Sequence, residues 1–186
     1  MNRHTVADFR ALLAMLALSF LLSPLAAHAK DAGEINASVN TALQGFKKDV
    51  KGGAEFLAAA KGVLVMPEVK KAGFVVGAQW GEGALRVGGK SVGYYKMDAG
   101  SVGFQAGYQK ANFFFLFMTQ EALDKFRASK GWTAGVDGGI TVVEASAGFD
   151  ANTLRAEEPV IAFVVGKEGL MAGWSAKGTK FSRIEK

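Results

Sequence analysis

Residues Ala111–Thr119 read ANFFFLFMT, and from Phe113 to Met118 every side chain is large and apolar. The run is far short of the roughly 20 residues that a membrane-spanning helix needs. As a strand it puts Phe113, Phe115 and Phe117 on one side and Phe114, Leu116 and Met118 on the other. Both sides are apolar, so both must be covered by protein. The run is therefore expected to be a central strand sandwiched between other elements, and the rest of the chain must supply two covering layers.

The helical layer is sought upstream. Ile35, Val39, Leu43, Phe46, Val50, Ala54 and Leu57 step by three or four residues and fall on one helical stripe. Gly52-Gly53 interrupts it, because each glycine costs about 1 kcal/mol relative to alanine in a helix, so two helical pieces are expected. Lys47, Lys48 and Lys51 lie off the stripe, where they form either an ordinary solvated face or a basic amphipathic surface for lipid headgroups. Downstream of the run, Thr119 offers an N-cap and QEALDKFRASKG places Ala122, Leu123 and Phe126 on one side, with a stop at Lys130-Gly131.

The remaining texture is short and β-rich. GVLVMP reads as a strand stopped by Pro67; AGFVVGAQWGEG, GALRVGG, SVGYYKM and GSVGFQAGYQ follow as half-buried runs. WTAGVDGGITVVEASAG returns to strand texture, NTLRAEEP is a polar connection, and VIAFVVG with LMAGWSAKG reads as a final hairpin turning near Lys167-Glu168-Gly169. Glycine inside strands weakens them but permits bulges and tight curvature. The expected fold is α+β: a strongly curved, Gly-rich, mainly antiparallel sheet or barrel-like core, with N-terminal helices and one internal helix at about 119–129.

The first 29 residues stand apart. Arg3, His4 and Arg10 precede an apolar stretch from Ala11 to Leu22, and Ala27-His28-Ala29 supplies a small-x-small ending. This is the pattern of a secretory signal peptide, and cleavage is expected after Ala29. The expected organisation is a leader over 1–29 and a single domain over 30–186, exported and periplasmic or secreted.

Removing the leader removes both histidines, His4 and His28, and the chain has no cysteine. Ser-His-Asp triads, Cys-His pairs and a histidine base are then absent by inventory, and zinc sites need His or Cys in nearly all cases. The whole chain's +5, less the leader's +1 from Arg3, Arg10 and Asp8, leaves +4. GEGALRVGG resembles a nucleotide loop only faintly, since Leu85 and Arg86 continue as strand where a dinucleotide site needs a helix. Glu82 with Asp98, and Glu157 with Glu158, read as solvated loop acids. Trp80, Trp132 and Trp174 sit beside glycines in strands and read as core or rim packing rather than membrane anchors. No catalytic residue, metal or cofactor is expected, and no nucleic-acid partner.

In order along the chain, AKGVLVMPEVKKAGFVVG, GYQKANFFFLFMTQEALDKF, WTAGVDGGITV and GLMAGWSAKG resemble the SYLF domain family, also called the Ysc84 actin-binding or lipid-binding family. Each piece alone is weak; the ordered set is specific, and it spans roughly Ile35 to Lys180. The resemblance implies a non-enzymatic module that associates with membranes, through anionic phospholipid or phosphoinositide headgroups met by a basic amphipathic N-terminal region. It also implies, as the alternative, binding to actin or another host or envelope protein. The expected lipid-binding residues are Lys47, Lys48, Lys51, Lys70 and Lys71, at the cell envelope in peripheral association.

Overall fold

The computed structural model describes residues 30–73, 76–102, 107–143, 158–167, 169–171 and 173–186. The expected leader, residues 74–75, 103–106, 168 and 172, the end of the WTAGVDGGITVVEASAG run from Glu144 on, and the polar connection NTLRAEEP except Glu158 and Pro159 lie outside the described residues.

Helix α1 (Ala32–Asp49) begins in a capping box: the Glu34 N–H donates to Asp31 Oδ1 at 2.8 Å, and the Asp31 N–H donates to Glu34 Oε2 at 3.3 Å. Gly52, in the left-handed conformation at φ 73°, turns the chain into α2 (Gly53–Ala59). The break is where the sequence puts it, but the turn changes the phase of the stripe. Phe56 enters the core, Leu57 is half-buried and Ala54 is exposed.

Strands β1 (Gly62–Gly73), β2 (Val76–Val87), β3 (Lys90–Val102) and β4 (Gly107–Phe117) are followed by α3 (Gln120–Ala128), β5 (Trp132–Thr133), β6 (Thr141–Val143), β7 (Val160–Gly166), β8 (Gly169–Leu170) and β9 (Lys180–Ile184). Among the described residues they form one sheet in the order β5-β9-β3-β2-β1-β4-β7-β6, with β8 beside β7. The β6–β7 pair is parallel and the other ladders are antiparallel. The sheet curls into a half-barrel, so the α+β expectation with a curved, mainly antiparallel sheet holds.

The opening run is the spine of this sheet. Strand β4 lies between β1 and β7, with Phe115 opposite Leu64 on one side and Ala162 on the other. Phe113, Phe115 and Phe117 fill the inner, concave face with Leu64, Met66, Met97, Phe126 and Phe181. Phe114, Leu116 and Met118 face the helical layer on the outer side, where the Phe46 ring of α1 meets Phe114 at 4.5 Å and Phe163 at 5.1 Å. Helix α3 closes the inner face, with Phe126 against Phe117 and Tyr95, each at 4.9 Å.

Four local expectations are corrected. Pro67 does not stop β1: Pro67 and Glu68 together oppose Asn112 in a bulge, where the proline's missing N–H breaks no ladder bond. Glu68 takes φ 50° there and its N–H donates to Asn112 Oδ1 at 2.9 Å. The runs ending GEG and beginning GAL are one strand, β2, because Gly83 is a place of close approach rather than a break; a Cβ there would collide with the Val65 carbonyl oxygen. Helix α3 ends at Ala128 with Ser129 as extended C-cap, before Lys130-Gly131. Among the described residues the closing hairpin is two residue pairs long, and Lys180–Ile184 then pairs with β3 and β5 at the far edge.

Candidate functional site

Among the described residues no cluster of three or more acidic or histidine side chains converges as a metal site, and no helix is long and apolar enough to cross a membrane. Glu82 accepts from Lys186 Nζ at 3.0 Å and Asp98 pairs with Lys96 at 3.6 Å, so each acid has its own cation. The Glu157–Glu158 pair lies partly outside the described residues. What remains is the arrangement of basic side chains.

Helix α1 runs over the outer face beside the first half of β1. Lys30, just before it, pairs with Glu68 at the bulge, Asn40 accepts from Arg86 Nη2 at 2.7 Å, and the last turn reaches the start of β1. There Lys47, Lys61 and Arg86 line a cleft of about 320 Å³ whose other walls include Leu43, Leu57 and Val63. Arg86 is held in place by a second bond, Nη1 to the Gly89 carbonyl at 3.0 Å, while its buried Nε has no partner among the described residues. Lys48 and Lys51 are exposed at the C-terminal end of α1, outside the lining of this cleft. The terminal helical carbonyls also favour cations in the last turn of α1.

Lys70 and Lys71 are not part of this cluster. They lie about eight residues along β1 from Gly62, roughly 25 Å away at strand rise. Being adjacent in a strand, they point to opposite faces. Lys70 is exposed on the outer face, in a cross-strand row with Trp80 and Lys110. Lys71 turns inward, donates to the Gly173 carbonyl at 3.0 Å and sits 5.4 Å from the Trp174 ring centroid.

The tryptophans divide likewise. Trp132 and Trp174 are in the inner core, as read from the sequence. Trp80 is at the rim, the other half of that reading: it is 39% exposed, on the same outer face of the sheet as Tyr108 at 57% and Val76 at 72%, beyond the start of α1. That surface carries Lys70 and Lys110 and has aromatic groups with polar tips, a combination suited to an interface between apolar and wet phases.

Glu68 anchors the edge of this region, accepting from both Lys110 and Lys30 at 3.3 Å. Burial pushes its carboxyl up, but the hydrogen bonds and charges of Lys110 and Lys30 outweigh that and hold it below the ordinary carboxylate range. A depressed folded-state value means that the stabilisation is present above the unfolded value of roughly 4.3 and fades as pH falls through the folded value. Thermal melts of the wild type and Glu68→Gln are therefore expected to differ most near neutrality and to converge as pH drops below about 4. A gap of constant size across that range would mean that the two ion pairs contribute nothing.

Sequence reading missed Lys61, Arg86, Lys110 and Tyr108. Arg86 is distant in sequence from the lysines it joins, Lys61 lies beyond the helical stripe that ends at Leu57, and Lys110 and Tyr108, two residues apart in β4, carry no helical period to mark them. The one available hint was Gly88-Gly89, a turn that brings Arg86 back toward its own chain.

Residues 98–185, just under half of the 186, match the family model described as Ysc84, Las17-binding protein actin regulator. The match takes in the second part of β3 and all that follows through β9, and leaves α1, α2, β1 and β2 outside it. No curated protein matches the sequence.

Proposed function

We propose that the protein is a non-enzymatic SYLF-type module that docks on anionic phospholipid surfaces, phosphoinositides included, through the basic end of α1. The observation that carries this reading is the convergence of Lys47, Lys61 and Arg86 around a cleft with apolar walls, with Lys48 and Lys51 exposed at the same end of α1. Ammonium and guanidinium groups take phosphate oxygens, and the apolar walls suit the glycerol end of a lipid. Lys70 and Lys110, with Trp80 and Tyr108, provide a second contact on the outer face. Lys71 faces inward and takes no part in that surface.

The organisation read from the sequence completes the proposal: a leader over 1–29 and one domain from Lys30 to Lys186. The single-domain reading is supported by contact between its ends, since Lys186 Nζ donates to the Lys30 carbonyl at 2.7 Å. Export to the envelope is expected to leave a chain that begins at Lys30, as read by intact mass; a full-length mass in the membrane fraction would contradict it.

A second reading, binding to actin or to another protein, is favoured by the description of the family model matched at 98–185. Co-sedimentation separates the two. Pelleting with vesicles in proportion to their anionic lipid, and not with actin filaments, supports the lipid reading; pelleting with filaments alone overturns it.

A further inference from the structure

The inner face of the sheet holds an amide that no described residue satisfies. Gln79 is 1% exposed, and among the described residues neither its Nε2 nor its Oε1 has a hydrogen-bonding partner. Leaving a buried amide unpaired is destabilising, and an apolar side chain of similar shape would avoid that cost. Gln79 lies directly opposite Lys71 of β1, and Lys71 in turn lies opposite Gln109 of β4. Opposite residues share a face, and the position of Lys71 over Trp174 identifies that face as the inner one. The Trp174 indole Nε1 is also buried and without a partner among the described residues. Lys71 makes no ion pair among the described residues; its one described acceptor is the Gly173 carbonyl.

We infer that Gln79, Lys71 and Trp174 form a binding site for a phosphate group on the inner face of the sheet. An ammonium with N–H groups to spare calls for an anion, and the indole and amide N–H groups add neutral donors. The Gln79 carbonyl calls for a donor on the same ligand. A phosphate carrying one proton supplies both kinds of group; a carboxylate supplies only acceptors. The site is on the opposite face of the sheet from the proposed membrane contacts and does not depend on them. The phosphate is either free or the head of a single lipid monoester, and the chemistry of capture is the same.

The test is ligand-dependent thermal stability and indole fluorescence of the protein in vesicle-free solution. The probes are inorganic phosphate, octyl phosphate below its micelle concentration, and octyl glucoside as a neutral control with the same tail. Either phosphate probe is expected to raise the melting temperature and change the fluorescence, saturably. A response to inorganic phosphate assigns a free-phosphate site; a response to octyl phosphate alone assigns a lipid head. Gln79→Leu should melt no lower than the wild type without ligand and lose the response. Lys71→Met, at a half-buried position, should fold and also lose it. Lys70→Met, its neighbour on the other face, should respond as the wild type does. No response of the wild type to either phosphate probe, an equal response to octyl glucoside, or an undiminished response in Lys71→Met would overturn the proposal.

Discussion

Phe115→Ala is expected to destabilise the protein by about 3–5 kcal/mol, because truncating a fully buried phenylalanine loses its transfer free energy and leaves a cavity. Phe115 has no solvent exposure, and its ring meets Phe181 at 4.9 Å and Phe113 at 6.3 Å. It sits at the middle of the interior strand, opposite Leu64 and Ala162. Phe181 arrives from β9 at the opposite side of the half-barrel, so the contact joins two distant parts of the curled sheet. The surroundings are β ladders on both sides, which relax poorly into the space. Domains have only about 5–15 kcal/mol of total stability, so the mutant should melt far earlier or accumulate insoluble. Denaturant titration is the measurement. A normal midpoint combined with lost vesicle binding would mean that the phenylalanine run serves as an exposed insertion element rather than as the core.

Neutralising Lys47, Lys48 and Lys51 to glutamine is expected to weaken binding to anionic vesicles by more than a hundredfold. Each lysine near an anionic surface contributes about 1 kcal/mol, so three contribute about 3 kcal/mol, and every 1.4 kcal/mol is about tenfold. The difference should shrink as salt rises, since exposed charges are screened over about 8 Å at physiological ionic strength. The fold should persist: all three are exposed at the end of α1 and none makes an ion pair among the described residues. Surface changes of this kind usually shift stability by less than about 0.5 kcal/mol. Co-sedimentation with vesicles of graded anionic content, alongside melts of both proteins, reads the result. Equal binding by two equally folded proteins would clear these lysines and move attention to Lys70 and Lys110.

The parts of the candidate site that were readable are those written in one local segment. Lys47, Lys48 and Lys51 stand out against the apolar stripe of a single helix, so periodicity separates them. Arg86 and Lys61 join them only because Val63 pairs with Arg86 across β1 and β2 while the end of α1 lies above that pair. Lys70 and Lys71 looked like one basic pair because they are neighbours in sequence, and strand alternation sends one to each face. Core and rim could not be told apart for Trp80, because its flanking glycine and strand texture match those of Trp132. Its exposure follows from where α1 stops covering the sheet, and that depends on the placement of a helix more than 30 residues away in sequence.

By itself the sequence determined the buried central strand, the two helical pieces with their break at Gly52, the capped helix after Thr119 and the α+β class with a curved sheet. Each of these follows from local physics: side-chain alternation on a strand, a 3.6-residue period on a helix, a cap, or a glycine that alone tolerates the required conformation. Only the tertiary structure decided that β1 continues through Pro67, that β2 runs unbroken past Gly83, that Lys180–Ile184 closes the far edge, and which cations gather around one cleft. Those outcomes depend on pairing between segments distant along the chain. A bulge is defined by the partner that lacks a residue, a close approach by the backbone that approaches, and an edge strand by the edge left for it. No stretch of sequence contains its own partner, so that information exists only once the chain has folded.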